Sequence, residues 1–247
     1  MEKMRTMVSA APTRPDNEIG HYFDPSSGCQ VIVARPAEHP QLWTDYLDGA
    51  RASYRGHGVE DVLDYDRVVD GRSTALFFAA VSQQGQVVGG MRAQGPYLMS
   101  NQAHALEEWA GRRGSRQLRR EIAMRIPAGI VEMKTGWVAD DVARRSELTA
   151  ALARFFIHAL TLLRARYAMC TVAAHAVNRW QSTGGVVSTK VAPVAYPDER
   201  YRTRLMLWDK QTYPQLAAAE QLPLLMVEAA QLVGSQAAPP ILSPLAA

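Results

Sequence analysis

The hydrophobic and polar positions of the chain fall into blocks of two kinds. Short apolar runs rich in β-branched residues predict strands, and longer segments in which apolar residues recur every three or four positions predict amphipathic helices. The predicted strands span residues 31–34, 74–81, 86–94, 130–138, 168–173, 186–194 and 202–208. The predicted helices span residues 38–54, 102–124, 142–166, 175–181 and 215–233. This order predicts a mixed α/β protein built in layers.

The connections between these elements predict part of the sheet topology. The second and third strands are joined by Ser82-Gln83-Gln84-Gly85, a short polar loop ending in glycine that predicts an antiparallel hairpin. Asp140 and Asp141 follow the fourth strand, and carboxylates at this place predict the cap of a long helix. Another strand follows that helix, so this unit predicts a parallel pair of strands.

The two ends of the chain differ from its middle. Residues 1–28 contain several prolines and no apolar periodicity, which predicts a flexible N-terminal arm. Residues 29–208 hold the predicted strands and predict one folded domain, and residues 209–247 predict a C-terminal helix followed by a proline-containing tail.

Composition limits the classes of protein to consider. The chain has 247 residues, 47% of them hydrophobic and 21% charged, which is typical of a globular protein. A net charge of +3 over this length does not indicate a nucleic-acid partner. The longest uncharged apolar stretch, 155–163, is much shorter than the roughly 20 residues of a membrane-spanning helix. With no secretory signal visible near Met1, we expect a soluble cytoplasmic protein without an integral membrane segment.

Several kinds of chemistry lack their usual signals. The six histidines show no metal-ligand spacing, and the signature loops of serine hydrolases, P-loop proteins and dinucleotide-binding proteins are missing from the sequence. Cys170 with His175 is the one nucleophile-and-base pair, and a cysteine in an apolar strand is more often structural. The arginine-dense segment 112–125 is either a docking face for an acidic partner or a solvated helix face.

Over residues 30–208 the order of elements resembles the Gcn5-related N-acetyltransferase (GNAT) fold. Within that superfamily, the chain from Arg51 to Val138 resembles the acyl-homoserine-lactone synthases and the N-acyl amino acid synthases. The residues that carry this resemblance are Arg51, Tyr54, Asp64-Tyr65-Asp66, the strand Val87-Val88-Gly89-Gly90-Met91-Arg92, and the glutamate-bearing strand Val131-Glu132-Met133-Lys134-Thr135-Gly136-Trp137-Val138. Further similarity lies at His175, Gly184-Gly185 and Tyr196-Pro197.

The resemblance implies a fold and an activity. The fold would be a mixed, mainly antiparallel sheet with helices on both faces. The activity would be transfer of an acyl group from an acyl-CoA or acyl-carrier-protein thioester to the amine of an amino-acid-like small molecule, with no metal. The segment 144–149 has larger residues where the superfamily's acetyl-CoA loop has glycine, which favours a long-chain or carrier-bound donor. An acetyl-CoA-dependent N-acetyltransferase and a non-catalytic ligand-binding or scaffold protein are the alternatives.

Acyl transfer to an amine needs a base, and Glu132 is the candidate. Strict alternation would place Glu132, Lys134 and Gly136 on one side of the strand and Val131, Met133, Thr135 and Trp137 on the other. Burial in so apolar a run would raise the pKa of the Glu132 carboxyl group. Such a carboxylate could act as the base, directly or through a water molecule. A structural salt bridge of Glu132 with Lys134 or with an arginine is the alternative. For the oxyanion, the resemblance implies a backbone N–H of the same strand.

The donor's phosphate needs an anion site, which we expect where the strand ends. Val138, Arg144, Arg145 and Ser146 are the candidates, because the first N–H groups of a helix bind phosphate and arginines add charge. Alternatively, the two aspartates simply cap the helix and the arginines lie on its solvent face.

The acceptor is expected to contact the first helix and its surroundings. Arg51, Tyr54, Asp64, Asp66 and Arg92 are the candidates by resemblance, although Arg92 and the two aspartates could instead brace a lid formed by the first helix through ion pairs. Trp137 is expected, with Trp180 and Phe78, to line an acyl tunnel; such residues are otherwise part of the core.

Overall fold

A computed structural model describes residues 18–237, and a mixed sheet runs through this part of the chain. Its strands are β1 (Glu18–Asp24), β2 (Cys29–Ala34), β3 (Leu76–Val81), β4 (Val87–Gln94), β5 (Ile130–Val138), β6 (Tyr167–Ala173), β7 (Val186–Val187), β8 (Val194–Ala195) and β9 (Arg202–Asp209). The helices are α1 (Pro40–Gly56), α2 (Tyr65–Val68), α3 (Ala105–Glu108), α4 (Ser115–Ala123), α5 (Arg145–Leu162), α6 (Val177–Gln181), α7 (Tyr213–Leu216) and α8 (Gln221–Ala237).

The strands lie in the order β1-β2-β3-β4-β5-β6-β9-β7, and β8 also pairs with β9. Each neighbouring pair is antiparallel except β5 and β6, which are parallel. The hairpin of β3 and β4 and the parallel unit β5-α5-β6 are therefore confirmed. So is the predicted fold class, a mixed and mainly antiparallel α/β sheet.

Helices cover both faces of the sheet. On one face α5 and α8 pack over a core that includes Phe78 and Val131. On the other face α1 packs over Phe77, and the segment of α3 and α4 packs over Ile130. Because neighbouring strand residues point to opposite faces, each central strand contributes to two cores.

The N-terminal prediction is wrong for part of its range. Residues 18–24 form β1, an edge strand whose Tyr22 and Asp24 are buried. Residues 25–28 form the turn into β2. The sequence pattern did not predict β1 because this short strand has only two or three inward-facing positions and is followed by a turn with proline and serines. The rest of the predicted arm, 1–17, and the predicted tail beyond 237 lie outside the described residues.

Other elements also differ from the prediction, and the helix expected at 102–124 is split into α3 and α4. The strand expected at 186–194 is reduced to the two-residue strands β7 and β8. The helix expected at 215–233 is split into α7 and α8. The long helix α5 begins only at Arg145, so Asp140 and Asp141 do not cap it. Among the helices of residues 18–237, none is long and apolar enough to cross a membrane.

Candidate functional site: a cleft between two separating strands

The parallel strands β5 and β6 are paired only where they begin. Their register runs from Ile130 opposite Tyr167 to Glu132 opposite Met169, and β5 then continues to Val138 without a partner on that side. A cavity of about 340 Å³ lies in the opening and is lined by residues of both strands. The edge of β5 that faces the cavity therefore keeps backbone N–H and C=O groups without a strand partner.

A bulge in β5 changes which side chains face the cleft. Between β4 and β5 the register shifts by one residue, so that Thr135 and Gly136 together stand opposite Met91. Thr135 has a positive φ of 54°. An extra residue reverses the alternation beyond it. Trp137 accordingly packs with the core under α1, whereas Met133 packs with the core under α5. The expectation that both lie on one side is wrong, because strict alternation does not survive a bulge.

The cleft has an apolar wall and a polar end. The apolar wall is formed by Met91, Met133, Trp137, Leu152, Phe156 and Trp180. Polar groups come from α1, from the strand ends and from the β8–β9 region: Tyr54, His57, Lys134, Thr171, Tyr196 and Tyr201. Arg145 and Arg179 are the arginines that line it, and Glu108 is the lining carboxylate. The surplus of cationic groups favours an anionic ligand.

Glu108 is the centre of a buried polar cluster in the cleft wall. Its Oε1 accepts hydrogen bonds from Lys134 Nζ at 2.6 Å and Thr171 Oγ1 at 2.9 Å, and lies 3.3 Å from His104 Nδ1. Its Oε2 is buried and has no hydrogen-bond partner among residues 18–237. A buried carboxylate oxygen without a donor is costly and unusual in a folded protein, so this atom is a candidate contact for a ligand.

Charge keeps this carboxyl group ionised. Burial raises the pKa of Glu108, but the Lys134 ammonium and the neighbouring His104 outweigh burial, so its pKa lies below the ordinary value. Burial likewise lowers the pKa of Lys134, whereas the facing carboxylates raise it above its ordinary value overall. The pair is thus a carboxylate and an ammonium at neutral pH.

Glu132 is buried behind the wall of the cleft and does not form part of that wall. It is fully buried and is not among the residues that line the cavity. Its Oε2 accepts from Tyr97 Oη at 2.7 Å and from the His104 N–H at 2.9 Å, and its Oε1 accepts from the Ala105 N–H at 3.0 Å. Lys134 Nζ lies 4.0 Å away. Glu132 therefore holds the first turn of α3, the short helix that ends at Glu108.

A metal ion does not fit this cluster well. His104, Glu108 and Glu132 bring possible ligand atoms within 4.8 Å of one another. The Glu132 oxygens, however, are already bound by three donors, and the Lys134 ammonium occupies the Glu108 oxygen that a cation would share. A divalent cation would have to displace these bonds and lie beside an ammonium group.

The predicted phosphate residues are only partly brought together. Val138 and Arg145 line the cleft, and Arg145 also lies 3.0 Å from Asp140. Arg144 instead donates to the Pro25 and Ser26 carbonyls and so fixes the β1–β2 turn. Ser146 Oγ donates to Glu147, and neither Arg144 nor Ser146 lines the cavity.

The predicted acceptor residues also separate into two groups. Tyr54 and Trp137 line the cleft, and burial raises the pKa of Tyr54. Arg51 binds Glu60 at 2.7 Å outside the cavity. Asp64 binds Arg67, and neither Asp64 nor Asp66 lines the cavity.

Arg92 does not brace a lid through ion pairs with the aspartates, as one alternative expected. It is buried between α1 and the sheet, where it donates to Thr135 Oγ1 at 3.1 Å and Thr74 Oγ1 at 3.3 Å. Burial lowers its pKa. The bond to Thr135 holds the bulge of β5.

The aromatic and thiol predictions have mixed outcomes. Trp180 lines the cleft, whereas Phe78 stacks on Phe155 in the core. Cys170 and His175 both line it, and burial raises the pKa of the Cys170 thiol well above the ordinary value. A thiol with a raised pKa is a poor nucleophile.

Sequence reasoning missed Glu108. It follows Glu107 in a polar segment, and no local pattern separates a buried glutamate from its exposed neighbour. The one available signal was the need of Lys134, a cation in an apolar strand, for a buried acid.

The comparisons with known proteins bear on the fold and on the family. No protein-family model matches the chain. FeeM, an N-acyl amino acid synthase from uncultured soil microbes, superposes with a TM-score of 0.53 at 11% identity, over 78% of this chain and 98% of FeeM. BjaI, a CoA-dependent acyl-homoserine lactone synthase, superposes with a TM-score of 0.50 at 14% identity, over 78% of this chain and 83% of BjaI. The fold is therefore of the GNAT type that the resemblance implied.

A sequence relative is much closer in identity. The uncharacterized protein Rv1356c of Mycobacterium tuberculosis is 45% identical over 205 residues, which cover 83% of this chain and 78% of the mycobacterial protein. Identity at this level over most of both chains implies a common fold and origin. The chain therefore belongs to the same protein family as Rv1356c.

Proposed function

We propose that the protein is an N-acyltransferase that uses the β5–β6 cleft to transfer an acyl group from a thioester to a small-molecule amine. The observation that carries this proposal is the free Oε2 of Glu108, an ionised and buried carboxylate in the wall of a cleft between two separating strands. The names of FeeM and BjaI, two acyl-transferring proteins of the same fold, support the same reaction class.

The open edge of β5 is suited to the donor. An extended chain with amide groups, such as the pantetheine arm common to CoA and carrier proteins, can add to an unpaired strand edge as a further strand would. Arg145 at the start of α5 would meet the phosphate end, and charge-assisted bonds with phosphate are strong. Val138, the last residue of β5, also lines the cleft.

The apolar wall is suited to the acyl group. Met91, Met133, Leu152, Phe156 and Trp180 give the acyl group five apolar side chains to contact. We therefore propose a medium or long acyl chain. Whether CoA or an acyl carrier protein presents that chain is decided by the experiment below.

Glu108 would act as the base. Its free oxygen accepts a proton from the acceptor ammonium, the amine nitrogen attacks the thioester carbonyl carbon, and a C–N bond forms as the C–S bond breaks. The thiolate leaves and takes up a proton, so the products are an amide, a thiol and a net proton. Lys134 and Thr171 hold the other oxygen, and Glu132 positions α3 and through it Glu108.

This proposal gives Glu132 the role of positioning α3 in place of the predicted role of base. Tyr54 and Trp137 remain proposed substrate contacts because both line the cleft. Arg51, Asp64 and Asp66 lie outside it; Arg51 and Asp64 form ion pairs with Glu60 and Arg67 instead.

The test combines donor binding with turnover. Purified protein is mixed with acetyl-CoA, a long-chain acyl-CoA and an acylated carrier protein, and donor binding is measured by native mass spectrometry and thermal shift. Amino acids are then supplied as acceptors, and thiol release and amide formation are measured together. We expect stabilisation by a long-chain donor and thiol release that depends on the acceptor.

Glu108→Gln keeps the size of the side chain and removes the base. We expect turnover to fall by roughly 10²–10⁴-fold with donor affinity unchanged. Glu107→Gln is the matched control, since this adjacent carboxylate is exposed, binds Arg67 and does not line the cleft. Donor binding without turnover in the unmodified protein would favour the non-catalytic alternative, and preference for acetyl-CoA would favour an ordinary acetyltransferase.

A further inference from the structure

The segment that follows α3 presents an unusually dense cationic surface, which we call the arginine surface. Five arginines are exposed within nine residues: Arg112, Arg113, Arg116, Arg119 and Arg120. Over residues 18–237, none of the five forms a salt bridge or a side-chain hydrogen bond. Glu121, the acidic residue of α4, is buried and binds Arg125 and Lys190 instead. The arginine surface therefore carries positive charge that the described chain does not neutralise.

Apolar side chains border this surface. Leu118 and Ile122 on the inner face of α4 are buried in the core, and the arginines of α4 are exposed. Arg116, Arg120 and Met124 follow one another at four-residue intervals, so they lie along one side of the helix. Met124 is 52% exposed.

A second apolar border lies beside α4. The 3-10 turn Ser100–Gln102 packs against α4. The two residues before that turn, Leu98 and Met99, are 80% and 58% exposed. Three exposed apolar side chains thus lie next to the segment that carries the free guanidinium groups: Met124 at the end of α4, and Leu98 and Met99 just before the turn that packs against α4.

We infer that the arginine surface, with Leu98, Met99 and Met124, docks on an anionic phospholipid membrane. Guanidinium groups bind phosphate oxygens in pairs of hydrogen bonds, and apolar side chains beside them can enter the region between headgroups and acyl chains. Stable peripheral binding generally needs two such signals together, and both are present here.

Other polyanions fit this surface less well. A single-stranded nucleic acid would use exposed aromatic rings for stacking, but Trp109, the aromatic residue of this segment, is buried and donates to the Ala192 carbonyl. An acidic protein would bind most strongly where apolar anchors enter a preformed pocket. Leu98, Met99 and Met124 are instead exposed, as side chains that insert into a fluid bilayer would be in the free protein. The inference does not depend on the proposed enzymatic function.

The test is co-sedimentation of the full chain with lipid vesicles. Vesicles of phosphatidylcholine alone are compared with vesicles that also contain phosphatidylglycerol, at low and at high salt. We expect binding only to the anionic vesicles, weakened by salt. No binding to the anionic vesicles at low salt overturns the inference.

Two matched variants locate the binding surface. In the first, Arg116→Gln, Arg119→Gln and Arg120→Gln are combined; we expect about a fivefold loss per arginine and so about a hundredfold weaker binding. The control combines Arg35→Gln, Arg72→Gln and Arg200→Gln, which removes the same charge from exposed positions elsewhere. Equal loss in both variants would mean that net charge alone acts, and would overturn the inference.

A third variant tests the apolar border. Leu98→Ser with Met99→Ser should weaken vesicle binding about tenfold or more and leave the salt dependence in place, because only the inserted apolar area is lost. Both residues are exposed, so folding should be unaffected, and thermal unfolding checks this. Retention of the protein by immobilised polyglutamate, with no sedimentation on vesicles, would assign the surface to an acidic protein and overturn the inference.

Discussion

Two buried ionic clusters in this molecule contain the same kinds of groups but differ in what surrounds them. The cleft cluster, His104, Glu108 and Lys134, lies in the wall of the β5–β6 cleft. The sealed cluster, Asp24, Arg154, His158 and Glu228, lies between β1, α5 and α8 and does not line the cleft. Each combines carboxylate, cation and histidine.

The clusters differ in how their carboxylate oxygens are satisfied. In the sealed cluster every carboxylate oxygen has a donor: Arg154 binds both acids, the Ser27 N–H binds Asp24, and His158 Nε2 lies 2.8 Å from Glu228. In the cleft cluster Glu108 Oε2 has none among the described residues. A satisfied cluster fixes packing, whereas an unsatisfied oxygen beside a cavity leaves bonding capacity for a ligand. We therefore propose that the sealed cluster contributes stability and that the cleft cluster takes part in the proposed reaction.

The largest expected effect is on stability, from Arg154→Met. This change leaves Asp24 and Glu228 buried without their shared cation, and breaking a buried ion pair in this way costs about 3–5 kcal/mol of unfolding free energy. Urea unfolding measures it. Arg166→Met, which removes a partly exposed pair with Asp209, is the control and should change the unfolding free energy far less.

Glu108→Gln tests the same difference between the cleft cluster and the sealed cluster. Its effect on unfolding free energy should be well below that of Arg154→Met, because Lys134 keeps a hydrogen-bonding partner and still lies 4.0 Å from the Glu132 carboxylate. If the two variants unfold at the same urea concentration, the assignment of separate roles to the two clusters fails.

The second prediction concerns pH. Lys134 helps to hold the pKa of Glu108 below its ordinary value against burial, which raises it. In Lys134→Met the lowering due to Lys134 is lost and only that due to His104 remains, so the pKa of Glu108 rises and the ionised base is present only at higher pH. The acid limb of the kcat/KM profile should move to higher pH by on the order of 1–2 pH units, equivalent to about 1.4–2.7 kcal/mol.

The control for this variant is Lys190→Met, which removes an exposed ammonium that binds Glu121 away from the cleft. Its acid limb should stay where the unmodified protein has it. An unmoved limb in Lys134→Met would remove Glu108 from the mechanism.

The sequence predicts the fold better than it predicts the site. The apolar run of β5 gives the observed bounds 130–138, and α1 is displaced by only two residues from the predicted 38–54. β5 and α1 can be predicted because the periodicity that marks them is local. The strand β1 cannot, because its seven residues contain few inward-facing apolar positions and are followed by a proline-containing turn.

The site depends on relations that no local pattern encodes. Alternation along β5 fails at the bulge of Thr135, which is held by Arg92 from the neighbouring strand and by Tyr46 from α1. Glu108 acquires its role only because α3, β5 and β6 bring Lys134 and Thr171 to it. Glu132 was identified correctly as a buried carboxylate of the strand, but its partners place it behind the cleft.

Among the substitutions in the two ionic clusters, His158→Leu is expected to have the smallest effect. The substitution places an apolar side chain of similar size in the core under α5 and removes the partner of Glu228 Oε2. Both bonds of Arg154 to the acids remain. Loss of one hydrogen bond to a buried carboxylate should lower the unfolding free energy by about 1–2 kcal/mol, less than the loss of Arg154. Urea unfolding of the single and double variants measures the coupling, and the double variant should lose less than the sum because both changes act on the same carboxylate. Strictly additive losses would mean that Arg154 and His158 do not share Glu228 energetically, and the sealed cluster would then be two separate pairs rather than the one unit that fastens α8 to β1.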